Sequence, residues 1–132
     1  DWARSRGLGD VYKRQLRQRS ITINGSSLSW HPLDAYLSNK NIGSFTIDTA
    51  NDNKYMQVKD TSIDAIIFMD CSLCPIHPKT KKEFHKNVAK YAKTIRSRGM
   101  EPILFMSWPY KNKLSMITQL REEFFKAANT NN

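Results

Sequence analysis

The stretch Ala65-Ile66-Ile67-Phe68-Met69 is short and continuously apolar, which is typical of a strand buried on both faces of a parallel sheet. A second stretch, Ile103-Leu104-Phe105-Met106, has the same character. Between them, apolar residues recur at intervals of three and four and form one helix face: Phe84, Val88, Tyr91, Ala92 and Ile95. The order of strand, helix and strand predicts a βαβ unit with two parallel strands.

Local signals mark the ends of the helix between these strands. Thr80 and Glu83 fit a capping box, in which Thr80 accepts a hydrogen bond from a backbone amide and Glu83 reaches back. Gly99 marks the end of this helix. A second amphipathic helix is predicted after the second strand from the spacing of Leu114, Ile117, Leu120 and Phe124. The alternation of strands and helices predicts a three-layer α/β sheet protein.

Strands are also predicted in the first half of the chain. Residues 20–23, Ser-Ile-Thr-Ile, alternate polar and β-branched residues and run into the turn-forming residues 24–27, Asn-Gly-Ser-Ser. Residues 45–47 and 55–58 flank the polar segment 48–53, and this arrangement predicts a small antiparallel hairpin inserted into the fold.

The first fifteen residues look foreign to the protein. Residues 5–15 resemble one reading frame of a transposase-based sequencing adaptor, whose final bases, GATGTGTATAAGAGACAG, translate as Asp-Val-Tyr-Lys-Arg-Gln, the order found at residues 10–15. Such scars are excluded from fold reasoning. We therefore expect residues 1–15 to be adaptor-derived, residues 16–132 to form a partial domain, and natural sequence upstream of Leu16 to be missing.

Composition limits the possible partners. The formal charge of +9 becomes +7 once the +2 of residues 1–15 is removed, and the basic residues do not gather into one footprint. The densest run, Lys79 to Arg98, interleaves lysines with the apolar helix stripe, which predicts a solvated helix face and no nucleic-acid partner. No stretch approaches the roughly 20 apolar residues that span a bilayer, so no membrane span is predicted. Localisation and oligomeric state are left open, and no cofactor is predicted.

Ligands of open parallel sheets bind beyond the carboxyl ends of the strands. Three turn-rich or polar segments follow predicted strands here, at residues 24–27, 70–75 and 107–110. Because the predicted topology brings these segments to one edge of the sheet, we expect a binding site there.

The residues at this edge resemble those of a known family. Residues 21–31 resemble the strand, the Gly-x-Ser-Leu motif and the downstream His of one branch of the SGNH (GDSL-like) hydrolases. Residues 64–72 are similar to that branch's Asp-x-Val-Val-Leu-Gln-Glu-Gln-Ser strand end, and residues 102–108 to its Pro-Val-Leu-x-Met-Thr-Trp strand. The resemblance covers most of residues 20–125.

The resemblance implies a flavodoxin-like α/β/α fold and cofactor-free hydrolysis of carboxylic or acetyl esters of a small molecule or carbohydrate, through a Ser nucleophile and a His base. It implies that Gly25 supplies a backbone amide to the oxyanion hole, while the usual Asn or Gln donor falls on Cys71, whose thiol is a weak donor. The cleft is therefore expected to be lined by Gly25, Ser26, Asp70, Cys71 and Ser72.

The chain also departs from the family pattern. Met69 and Asp70 replace a Gln and a Glu, and the family's nucleophilic Ser and catalytic His would both fall outside residues 16–132. No catalytic residue is therefore expected within the chain, and the fragment by itself is predicted to be inactive. His31 is interpreted as a loop residue without a role in proton transfer, and the Ser72 hydroxyl as a partner for backbone groups.

Three other functions stay open. A thioredoxin-like thiol oxidoreductase would use Cys71 and Cys74, the only cysteines, although the predicted helix start near Thr80 lies too far along the chain to lower the pKa of the first thiol. A zinc site would combine these cysteines with His77 and His85, at a poor ligand spacing. A non-catalytic binding module would present the aromatic residues Trp30, Trp108 and Tyr110.

Overall fold

The computed structural model describes residues 17–18, 20–23, 25–39, 44–48, 54–58 and 62–132. The adaptor-like residues 1–15 and Asn24 lie outside the described residues. The chain divides into two compact units, one made of Asp1–Thr22 with Asn39–Ser62 and the other of Ile23–Ser38 with Ile63–Asn132.

The first unit contains an antiparallel sheet of β1 (Arg17–Gln18), β2 (Ser44–Asp48) and β3 (Lys54–Val58), in that order. β2 and β3 pair with Phe45 opposite Gln57 and Asp48 opposite Lys54. The predicted hairpin is thereby confirmed, although most of its connecting turn lies outside the described residues. The predicted strand at residues 20–23 is wrong, because these residues belong to no strand and the first described strand is β1.

The second unit is built on a parallel pair of strands, β4 (Ala65–Phe68) and β5 (Glu101–Leu104), with Ile67 opposite Ile103. A 3-10 helix (Leu28–Trp30) and the short helix α1 (Leu33–Ser38) precede β4. α2 (Lys81–Ser97) connects the two strands and α3 (Met116–Thr130) follows β5. The βαβ unit is confirmed, and β5 begins and ends two residues earlier than the apolar stretch at 103–106.

The core lies between the helices and one face of β4 and β5. All five residues of the predicted α2 face are buried, whereas Lys82, Lys86, Lys90 and Lys93 are exposed as expected of a solvated face. The register of α3 differs from the prediction because Leu114 precedes the helix and Leu114 and Ile117 are both exposed. Its buried face instead repeats every three or four residues through Met116, Leu120, Phe124 and Ala127.

The prediction that both strands are buried on both faces is wrong. Phe68 packs into the core, but Ile67 is 67% exposed and its neighbour Ile103 is 42% exposed. Successive side chains of a strand point to opposite faces, so one face of the pair packs on the core while the other is open to solvent. Within the described residues, the unit is a mixed α/β fold with a two-stranded parallel sheet and three α-helices.

The capping box at the start of α2 is also wrong, although the start itself is close to the predicted position. Thr80 makes no side-chain cap bond, and its hydroxyl donates instead to the Cys74 carbonyl at 2.9 Å. The other end of α2 follows the prediction, because Gly99 adopts a φ of +76° that few other residues tolerate. The Gly99 and Met100 amides donate to the Arg96 and Ile95 carbonyls and close the last turn.

Candidate functional site

A buried carboxylate joins two of the predicted site segments. Asp70 follows β4 and is only 3% exposed. Its Oδ1 atom accepts hydrogen bonds from the Leu28 amide at 3.1 Å and the Cys71 amide at 2.8 Å. Gly25 and Ser26 lie in the turn that leads into Leu28. The bond from the Leu28 amide to Asp70 therefore connects that turn to the carboxyl end of β4.

Burial sets the protonation behaviour of Asp70. Desolvation raises the pKa of this carboxyl above its ordinary value, while the two amide donors and the nearby His31 ring lower it. The net direction is upward, because two neutral donors replace only part of the water that a carboxylate loses. A carboxyl with a raised pKa keeps its proton at a higher pH than a surface aspartate does, and such groups are candidates for proton transfer.

The turn before Leu28 contains a contact between a serine and a histidine. Gly25 has a φ of +69°, and the Ser26 amide donates to the Ile23 carbonyl at 3.2 Å. The Ser26 hydroxyl oxygen lies 2.7 Å from His31 Nε2 and 2.8 Å from the Ile23 carbonyl. A hydroxyl has one proton, so when it donates to Ile23 the proton of the other contact belongs to His31.

The interpretation of His31 as a residue of an ordinary loop missed this contact. Tyr36 places its hydroxyl 3.4 Å from His31 Nδ1, so both ring nitrogens face a hydroxyl. The sequence signal was a serine five residues before the histidine, across a turn that begins with glycine. The contact explains how the turn keeps its shape.

Tyr91 holds the same turn from the α2 side. Its hydroxyl oxygen lies 2.7 Å from the His31 carbonyl oxygen and 3.2 Å from the Leu28 carbonyl oxygen, and its single proton is shared between these two acceptors. Burial and the neighbouring Tyr36 and Asp70 raise the pKa of Tyr91 to about 12. Helical periodicity identified Tyr91 only as a core residue, because periodicity carries no information about what its hydroxyl contacts.

Cys71 and Cys74 form a disulfide. The expectation that Cys71 offers a thiol donor is therefore wrong for this state, because a disulfide sulfur has no proton. Cys71 Sγ acts instead as an acceptor, from the Cys74 amide at 3.0 Å. As predicted, α2 begins too late, at Lys81, for its N-terminus to adjoin the CxxC turn.

The four-ligand zinc site is not assembled. His85 Nε2 lies 2.7 Å from Glu123 Oε2, and His77 Nδ1 accepts a hydrogen bond from the Lys79 amide. Among the residues that the structure describes, a carboxylate oxygen of Asp70 and the sulfurs of Cys71 and Cys74 lie within 4.8 Å of one another. In this state the two sulfurs are bonded to each other.

The remaining predicted residues lie at the same end of the strands. Ser72 is partly buried, and its hydroxyl makes no hydrogen bond within the described residues, contrary to the expectation that it satisfies a backbone group. Ser107, beyond the end of β5, is fully buried and its hydroxyl has no partner in the part of the chain that the structure describes. The aromatic residues Trp30, Trp108 and Tyr110 are all exposed.

No protein-family model, curated protein or solved structure matches this chain. Of the helices that the structure describes, none has the length and apolar character needed to cross a membrane.

Proposed function

We propose that residues 16–132 are part of an SGNH-like hydrolase domain that, in its intact form, cleaves carboxylic or acetyl esters of a small molecule or a carbohydrate. The nucleophilic Ser and the catalytic His of this proposal lie outside these residues, so the chain alone is expected to be inactive. The observation that carries the proposal is the hydrogen bond from the Leu28 amide to Asp70. It joins the Gly25 turn to the strand end where ligands of parallel sheets bind.

Gly25 is the residue of this chain that we expect to act on the substrate. Its amide would donate to the negatively charged oxygen that develops when an ester carbonyl is attacked. Its φ of +69° explains why this position is a glycine, because few other residues adopt that backbone conformation. Ser26, Asp70, Cys71 and Ser72 would shape the cleft around that amide.

The three-layer, flavodoxin-like architecture belongs to the same proposal. α2 and α3 contribute to the core on one face of β4 and β5, whereas Ile67 and Ile103 on the other face are exposed. Sheets made only of parallel strands are covered on both faces. We therefore expect a second helical layer to cover Ile67 and Ile103 in the intact domain.

The complete gene tests this proposal. The intact protein is expected to hydrolyse p-nitrophenyl acetate, with activity lost on replacing a Ser on a strand-loop upstream of Leu16 or a His downstream of Asn132. In that protein, Gly25→Ala is expected to lower kcat by about tenfold or more, because a displaced amide weakens oxyanion stabilisation. Gly99→Ala is the matched control, since Gly99 also has a positive φ but lies at the far end of α2. An intact gene that lacks either the Ser or the His would refute the proposal.

A further inference from the structure

The Cys71–Cys74 disulfide closes a loop of very few residues. A cross-link of this size removes little entropy from the unfolded chain, because the stabilisation grows with loop length. The bond therefore adds less to stability than a cross-link between distant segments would. What distinguishes it is its surroundings, which place a buried carboxyl beside both sulfurs.

From this geometry we propose that Cys71 and Cys74 form an exchangeable disulfide, and that Asp70 transfers the proton that accompanies its opening and closing by external dithiols. This proposal is independent of the hydrolase proposed above, so a failed test of one leaves the other standing. It also differs from a thioredoxin-like site, because the helix that follows these cysteines, α2, begins only at Lys81.

The two sulfurs differ in access. Cys71 is partly exposed, whereas Cys74 is buried at 9% exposure. An external thiolate therefore reaches Cys71 Sγ more easily, and Cys74 becomes the leaving group. The Cys74 amide, 3.0 Å from Cys71 Sγ, would stabilise a thiolate on Cys71, since a hydrogen bond to the charged form favours that form.

Cys74 leaves as a buried anion and needs a proton. A carboxylate oxygen of Asp70 lies within 4.8 Å of both sulfurs, a separation that one bridging water spans. Both amide hydrogen bonds are accepted by Oδ1, so these two bonds leave Oδ2 to carry the proton. The other titratable groups that influence Asp70 or respond to its charge are His31 and Tyr91.

Dithiothreitol opens the disulfide in two steps. A reductant thiolate attacks Cys71 Sγ, the sulfur–sulfur bond breaks, and its electron pair goes to Cys74 Sγ, which takes a proton from Asp70. The second reductant thiolate then attacks the mixed disulfide and releases the Cys71 thiolate, leaving a cyclic disulfide of the reductant. Solvent returns the proton to Asp70. In the reverse direction, the Asp70 carboxylate accepts the proton of Cys74.

The test measures reduction of the oxidised, folded 132-residue chain by dithiothreitol, with the thiols trapped by iodoacetamide and counted by intact mass. Asp70→Asn is expected to slow reduction by about tenfold or more and to remove a step from its pH profile, because general acid–base catalysis contributes at least that much. Asp64→Asn, an exposed aspartate just before β4, is the control and should react like the wild type. Equal rates and pH profiles for Asp70→Asn and the wild type would overturn the proton-transfer role.

Single-cysteine variants keep the proposal testable if Asp70→Asn fails to fold. The Cys71 thiol of Cys74→Ser is expected to react with iodoacetamide roughly tenfold faster than the Cys74 thiol of Cys71→Ser, because only a reachable thiolate is an effective nucleophile. The wild-type disulfide should also be reduced without unfolding. Faster alkylation of Cys74, or reduction of the wild type only after guanidinium is added, would overturn the exchange itself.

Discussion

The Leu28 amide donates a hydrogen bond to Asp70 Oδ1 at 3.1 Å, between residues 42 positions apart in the chain. The same oxygen accepts from the Cys71 amide, so one carboxylate satisfies donors from two segments. A buried donor without a partner costs about 1–3 kcal/mol. The arrangement of the candidate site therefore depends on the acceptor at position 70.

Replacing the Asp70 acceptor should matter more than removing its charge. Asp70→Ala leaves two amides without a partner and is expected to lower the free energy of unfolding by about 2–4 kcal/mol, whereas Asp70→Asn keeps an acceptor and should cost about 1 kcal/mol or less. Urea unfolding of both variants, with Asp64→Ala as the exposed control, measures the difference. Equal losses for the Ala and Asn variants would contradict this account.

Asp70 and Glu123 should respond to acid in opposite directions. For Glu123, burial raises the pKa, but hydrogen bonds and charges from Lys81 and His85 outweigh it and lower the pKa below the ordinary value of 4.5. Its contribution to stability is present above that value and is lost as the pH falls through the lowered pKa of the folded state. For Asp70 the pKa is raised, so the pH dependence is reversed. Its contribution to stability is present below pH 3.8, the ordinary pKa of an aspartate, and is lost as the pH rises through the raised pKa of the folded state.

The Glu123 contribution can be isolated with a neighbouring residue. Glu123 joins α3 to α2 through an ion pair with Lys81 and a hydrogen-bond contact with His85, which is an ion pair only when His85 is protonated. Glu123→Gln is expected to lower the free energy of unfolding by about 1 kcal/mol at neutral pH and by less in acid, where the wild-type carboxylate is itself protonated. Glu122→Gln removes the same charge from an exposed position. A Glu122→Gln loss as large as that of Glu123→Gln would show that net charge, not the ion pairs, is responsible.

The Tyr91 hydroxyl should stabilise the turn of the 3-10 helix. Tyr91→Phe keeps the ring against Phe68, at a centroid distance of 5.3 Å, but removes the donor to the Leu28 and His31 carbonyls. We expect a loss of about 1–2 kcal/mol and faster amide hydrogen exchange near residues 28–31, with Tyr110→Phe as the exposed control. Because the folded pKa is raised, wild-type stability should also fall as the pH rises from 10.0 to about 12, a decline that Tyr91→Phe lacks. Unchanged hydrogen exchange in Tyr91→Phe would sink this prediction.

The register of α3 can be checked with two leucines. Leu120 is fully buried, whereas Leu114 is 67% exposed. Leu120→Ala is expected to cost about 2–5 kcal/mol because it leaves a cavity, while Leu114→Ala should change the free energy of unfolding by less than about 0.5 kcal/mol. Thermal or urea unfolding of the two variants gives the comparison. A large loss for Leu114→Ala would restore the register first predicted from the sequence.

Much of the βαβ unit could be predicted because its signals are local. The apolar stretch at residues 65–69, the periodic face from Phe84 to Ile95 and the glycine at position 99 each act over a few residues. The same reasoning failed where one local sequence pattern was compatible with two different arrangements of hydrogen bonds or helix bounds. Thr80 could cap its own helix or donate to the Cys74 carbonyl, and the second arrangement occurs. Leu114 fits an apolar periodicity that starts before the helix does.

The sequence by itself determined the strand–helix–strand order, the buried face of α2 and the turn that contains Gly25, because hydrophobic period and backbone preference are properties of neighbouring residues. Only the tertiary structure decided that Asp70 receives the Leu28 amide, that Tyr91 holds the His31 carbonyl and that Ile67 is left exposed. Hydrogen bonds between distant segments and the covering of a sheet face depend on how elements pack in three dimensions. The same separation explains why the sequence pointed to an edge of the sheet, while the buried carboxyl beside the disulfide emerged only from the fold.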